Sequence, residues 1–221
     1  MKANSTPSSH PSTCVQPQDI VAFWQAAGPR RWFRKDGAFD ETLRERFLAV
    51  HEAAARGECD AWAAHASGSL ALLILLDQFP RNAFRQMPRM YATDAQARAV
   101  ADAAIRAGHD RAVPPALRQF YYLPFMHSET LADQVRSLAL YAALAAENAQ
   151  DAGKAVGSTD GEGAQVAPGA SRMDGRDATR HAREHHDIVA RFGRFPHRNA
   201  VLGRTSTPAE QAFLDGGGFV G

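Results

Sequence analysis

The stretch Leu70-Ala71-Leu72-Leu73-Ile74-Leu75-Leu76-Asp77-Gln78-Phe79-Pro80-Arg81-Asn82-Ala83-Phe84-Arg85 decides the fold class. Leu70 to Leu76 is apolar without alternation, the pattern of a helix buried on every side. The run is far shorter than the roughly 20 residues needed to cross a bilayer. Ser67 precedes it as a cap, and Phe79-Pro80 is expected to end it, because proline lacks an N–H and restricts the residue before it. Asp77, Gln78, Arg81 and Asn82 then set polar side chains directly against the apolar run.

Helical signals continue on both sides. Upstream, Ile20, Phe23 and Trp24 share one face of a segment from Asp19 to Ala27, and Asp40 caps a segment in which Leu43, Phe47 and Val50 recur at helical spacing. Downstream, Thr93-Asp94-Ala95-Gln96 reads as a capping box for an Ala-rich helix that stops at Gly108. Pro114-Pro115 opens a helix through Tyr122, and Ser128 caps a long one with an apolar stripe of Leu131, Val135, Leu138, Tyr141 and Leu144. Thr207-Pro208-Ala209-Glu210 starts a last helix that Gly216 closes. No segment alternates with the two-residue period of a strand, so the chain is expected to be all-α.

The Ser/Pro-rich residues 1–17 are expected to form a disordered tail, and 18–221 a single all-α domain. Between 151 and 176 large apolar residues give way to Gly, Ser, Asp and Ala, the composition of a flexible insertion joining two antiparallel helices. Lys plus Arg number 25 against 24 for Asp plus Glu, so no overall field attracts nucleic acid or an anionic membrane, and neither is expected as a partner. Cys14 and Cys59 stand far apart with no C-x-x-C pattern, which argues against a disulfide framework and for a reducing cytoplasm.

Polar chemistry gathers in three segments, each at a helix boundary: Leu76 to Asn82, Leu123 to Glu129, and Arg191 to Asn199. Phe79-Pro80-Arg81-Asn82-Ala83 nearly recurs as Phe195-Pro196-His197-Arg198-Asn199-Ala200, either because both are good helix stops or through a degenerate duplication of helical hairpins. Trp24, Trp32, Phe33, Trp62, Phe84, Tyr121 and Tyr122 are expected chiefly in the core, since no basic and aromatic interleaving suggests base stacking. His181-Ala182-Arg183-Glu184-His185 matches H-x-x-E-H, but no distant third ligand follows it, so no metal and no cofactor are expected.

The strings LLILLDQFPRNAFR, ATDAQA, YYLPFMHSE and RFGRFPHRNAVLGRTSTPAE resemble the hallmark motifs of the bacterial domain-of-unknown-function 924 family, from about Ile20 to Phe219. That resemblance implies a tetratricopeptide-like all-α fold, an array of antiparallel helical hairpins, and no established activity.

Two functions are open at this point. In the first, Arg81, Arg85, Arg191, Arg194, Arg198 and Arg204 converge on a pocket for a small phosphate or carboxylate, which guanidinium forks bind bidentately, with Asp77, Gln78, Asn82, His185 and Asn199 beside them. His127, Glu129 and His197 would then supply proton transfer, an imidazole titrating near neutrality and a buried carboxylate being tunable toward it. Against this stands the expectation that Asp77, Glu129, Asp133 and Asp187 consume the arginines in a buried ion-pair network. The second function is a tetratricopeptide-like scaffold presenting a concave surface to a protein or peptide.

Overall fold

The computed structural model describes residues 15–156 and 175–219, and all regular structure among them is helical. The expectations placed on residues 1–14 and 157–174 lie outside the described residues. Order nevertheless reaches into both segments expected to lack it. Val15 packs against the core, the Asp19 carboxylate accepts from the Gln16 N–H at 2.8 Å, and helix α1 (Pro17–Ala27) follows at once. Short α2 (Pro29–Trp32) leads to α3 (Gly37–Ala55), capped by Asp36 rather than Asp40.

The apolar stretch does not stop at Pro80. Helix α4 (Ala66–Leu73) runs through a π-helical turn (Ile74–Gln78) directly into α5 (Phe79–Ala83). The Phe79 N–H donates to the Ile74 carbonyl, five residues back, so the turn is widened by one residue. Pro80 has no N–H to offer the carbonyls of Leu75 and Leu76. Those two oxygens are satisfied from outside the helix, by His51 Nδ1 at 2.9 Å and Thr93 Oγ1 at 2.5 Å. The helix continues because neighbouring side chains replace the donor that proline removes.

Thr93 therefore spends its hydroxyl on Leu76 and makes no side-chain cap for α6 (Asp94–Arg106). Helix α7 (Pro115–Met126) likewise passes the expected end at Tyr122 and carries Pro124 inside it. The Tyr141 hydroxyl there donates to the Gln119 carbonyl at 3.3 Å. Helix α8 (Leu131–Val156) keeps Leu138, Tyr141 and Leu144 of its apolar stripe toward the core, but its start turns a different face inward. Leu131 and Val135 are 48% and 54% exposed, whereas Gln134, Ser137, Tyr141 and Leu144 are buried. The reason is polar: Gln134 Nε2 donates to the carbonyls of Met126 and Ser128 at 2.7 and 2.6 Å, oxygens that the end of α7 leaves without helical donors.

Helix α9 (Gly175–Phe192) packs along α8, and α10 (Pro208–Asp215) closes the described fold. The Thr207 capping box forms as its sequence predicts, Thr207 Oγ1 accepting from the Glu210 N–H while Glu210 accepts from the Thr207 N–H. The main core holds Trp24, Trp32, Phe39, Phe120, Tyr121 and Tyr122, but Phe33 stays 45% exposed. Trp32 Nε1 donates to the Trp24 carbonyl at 2.6 Å, so its one polar atom is satisfied inside. A smaller cluster of Ile188, Val189 and Phe195 packs with Phe192, Phe213 and Phe219. No helix among the described residues is long and apolar enough to cross a membrane.

Candidate functional site

The π-helical turn sets Asp77 beside the end of α7. Asp77 is 1% exposed, and its carboxylate accepts from His127 Nδ1 at 2.8 Å and from Gln78 Nε2 at 2.6 Å. Arg81 approaches it at 3.2 Å and also grips Asp94 with both terminal nitrogens, at 2.9 and 3.1 Å. Burial alone would raise the Asp77 carboxyl, but Arg81, His127 and Gln78 outweigh it and hold the group below the usual carboxylate range.

The third motif closes on the same place. A short 3-10 turn (Pro196–Arg198) brings Arg198 into the interior, where it is 6% exposed. Its guanidinium carbon lies 4.5 Å from the ring centres of both Tyr91 and Phe195. Arg198 donates to the His127 carbonyl at 2.8 Å. Its nearest carboxylate, Asp94, stands 3.6 Å away, and its Nε has no hydrogen-bond partner. Burial and the nearby Arg81 lower its pKa to about 10.

Three imidazoles surround this cation. Burial lowers all of them: His185 to about 3, with His127 contributing next, and His197 to about 4, with Arg198 contributing next. Burial and Arg81 together outweigh the Asp77 partnership and lower His127 as well. At neutral pH the three rings are therefore uncharged. A neutral His127 that meets a carboxylate through Nδ1 carries its proton there, which leaves Nε2 with a lone pair. By the same reasoning His185 donates Nδ1–H to the His181 carbonyl at 2.8 Å, so H-x-x-E-H does not turn its histidines to a common point. Among the described residues no group of three or more His, Cys, Asp and Glu side chains is placed to hold a metal. His197 Nδ1 is buried without a partner.

Other residues singled out by the sequence have structural work in this geometry. Glu129 lies in the loop before α8, not in its first turn, and accepts from Arg204 at 2.7 and 2.9 Å and from the Phe195 N–H at 2.8 Å. Burial raises its pKa less than these donors lower it, so Glu129 stays ionised and is not the tunable acid that its position suggests. Arg194 is paired with Glu210 at 2.6 and 2.8 Å. Asn199 Nδ2 donates to Ser206 at 3.0 Å. Asn82 bridges the Gln78 carbonyl and Arg85, whose guanidinium is held by Asp40. Arg191 is exposed over the Phe192 ring and is not brought to the cluster. Arg98, not one of the arginines expected in the network, approaches Asp133 at 3.6 Å.

Three contributors carried no usable signal in the sequence. Asp94 passes for a first-turn acid, Tyr91 sits outside every motif, and Phe219 follows a glycine run that reads as a simple helix end. The two Phe-Pro motifs share a buried phenylalanine, proline and asparagine, but the first continues a helix and the second makes a 3-10 turn.

Comparison with known proteins names no chemistry. A model of the family described as "Bacterial protein of unknown function (DUF924)" matches residues 20–218. A solved structure of a protein of unknown function, ATU0120 from Agrobacterium tumefaciens, is 47% identical, with 90% of this chain and 97% of that one covered and a TM-score of 0.75. No curated protein matches the chain. The chain belongs to the DUF924 family of bacterial proteins of unknown function.

Proposed function

We propose that this protein binds a small carboxylate- or phosphate-bearing molecule at Arg198 and moves a proton on it with the Asp77–His127 pair. The observation that carries this reading is Arg198 itself, a guanidinium 6% exposed whose nearest carboxylate is 3.6 Å away and whose Nε has no partner. A buried cation is expensive unless its donors are used, and an incoming anion would use them. His197 Nδ1, on the adjacent residue, is a second unpartnered buried nitrogen and can donate to the same anion in the appropriate tautomer.

Asp77 fixes the tautomer and orientation of His127, and His127 Nε2 is the base that arrangement leaves. Glu129 has no role in the proton transfer, being saturated by Arg204 and the Phe195 N–H. The test is a thermal-shift titration of the full chain with phosphorylated and carboxylated metabolites, alongside Arg198→Gln. A saturable rise lost in a variant that keeps its helical circular dichroism supports the site. An equal rise in both proteins rejects it.

A second reading, a tetratricopeptide-like hairpin array in the cytoplasm that docks a protein or peptide, draws on Leu131 and Val135. They lie one helical turn apart on α8 and are 48% and 54% exposed. Retention of a partner by the wild-type chain and its loss in Leu131→Glu would favour it.

A further inference from the structure

Phe219 reaches the histidines by a route that only glycine permits. Gly217 sits at φ +77°, and a Cβ on Gly218 would lie 2.5 Å from the Phe213 carbonyl oxygen. The turn carries the Phe219 ring to 4.6 Å from His185 and 5.3 Å from His197, nearly edge-on to each at 67° and 66°. Phe195 joins this slot to the cation: its ring is 5.5 Å from both imidazoles and 4.5 Å from the Arg198 guanidinium carbon.

Charge narrows what belongs beside Arg198. The carboxylates of Asp77, Asp94 and Glu129 are matched by the guanidiniums of Arg81, Arg198 and Arg204, and the histidines are neutral. One added negative charge leaves an imbalance that protonation of a single imidazole can offset, whereas a dianion would need two in the same desolvated space. Of the buried donors left over, Arg198 Nε, Arg204 Nε and His197 Nδ1, the two on adjacent residues, Arg198 and His197, suffice for the two oxygens of one carboxylate.

We propose that Phe219 occupies the place of the ligand's apolar body, and that the site takes a monocarboxylate carried on a planar ring, admitted when the Gly216–Gly218 strap swings Phe219 aside. The proposal rests on the anion reading above and adds the ligand's class and the device that gates it. A ring in the Phe219 slot would keep the edge-on contacts with the imidazoles, and its carboxylate would complete Arg198.

The experiment is calorimetric titration of the full-length chain with benzoate and with inorganic phosphate, using wild type, Phe219→Ala, Phe219→Leu and Arg198→Gln. If the plug is in place nine-tenths of the time, its removal tightens benzoate binding about tenfold, because apparent affinity scales with the open fraction. Phe219→Leu, which keeps apolar cover, should show a smaller gain in the same direction and serves if the alanine variant does not fold. Benzoate should bind at least about tenfold tighter than phosphate, the discrimination that about 1.4 kcal/mol provides. The proposal is overturned if neither Phe219 variant tightens benzoate binding, or if phosphate binds as tightly. Phosphate binding that needs Arg198, with no benzoate binding, would overturn the ring ligand and leave the anion site standing. Anion binding indifferent to Arg198→Gln would end both.

Discussion

The Thr93 hydroxyl donates at 2.5 Å to the carbonyl of Leu76, the oxygen that Pro80 has no N–H to reach. This bond and the matching one from His51 to Leu75 allow a proline inside a buried helix, and they hold the π-helical turn that presents Asp77 to His127. π-helical turns gather at functional sites because the inserted residue redirects side chains that a regular helix would place elsewhere.

Replacing Thr93 by Val keeps the shape and removes the donor, leaving a buried carbonyl unpaired. We expect a loss of about 1–3 kcal/mol in urea unfolding, the usual penalty for a stranded buried acceptor. Thr93→Ser, which keeps the hydroxyl, should stay within about 1 kcal/mol of wild type. Equal behaviour of the two variants would mean that Leu76 is satisfied some other way.

The helices themselves were legible in the sequence because hydrophobic period and caps are local signals: α1, α6, α10 and the all-α class follow from them. Pro80 misled because the donors that repair its helix, His51 and Thr93, come from elsewhere in the chain. The start of α8 misled for a similar reason, since Gln134 is buried by carbonyls of the preceding segment and not by its own hydrophobicity. Within the site, Asp77, Arg81, His127 and Arg198 stood out as polar residues against apolar runs. Which arginine lacked a full partner was not legible, because that depends on Asp94, Glu129 and Glu210 each choosing one guanidinium in space.

Gly68 supplies a prediction that no motif suggests. A Cβ there would lie 2.1 Å from the Trp62 carbonyl oxygen, a backbone atom in the 3-10 turn packed against α4. Gly68→Ala ordinarily favours a helix by up to about 1 kcal/mol, but the overlap must push the two backbone segments away from each other and should cost about 3 kcal/mol or more. Thermal unfolding of Gly68→Ala would show this as a large fall in Tm. An unchanged or raised Tm would mean that the two segments separate readily.

Glu129 and Arg204 form a bidentate pair with side chains 27% and 24% exposed. Partial exposure screens the charges, so Glu129→Gln should destabilise by only about 1–2 kcal/mol. A double-mutant cycle with Arg204→Gln should show a coupling of at least about 0.5 kcal/mol. Additive losses would separate the two residues and reopen a chemical role for Glu129.

The buried histidines predict how stability responds to acid. In the unfolded chain His185 and His197 take up protons near pH 6.5, while in the folded protein burial delays this to about 3 and about 4. Between those limits the unfolded state binds more protons, so stability must fall as pH falls. Each histidine contributes at most about 1.4 kcal/mol per pH unit, so the pair gives a slope approaching about 2.7 kcal/mol per unit near pH 5. Carboxylates such as Asp77 and Glu129, whose folded pKa is depressed, add their losses as pH falls through their unfolded values of about 4, so the histidines dominate only above about pH 5. Urea midpoints from about pH 7 to about pH 5 would measure the slope, to which His127 and His51 add in the same direction, and His197→Gln should lower it by up to about 1.4 kcal/mol per unit. A flat profile across that range would mean that the imidazoles reach water more freely than their packing against Phe195 and Phe219 implies. The closed state of the Phe219 plug would then be a minor one.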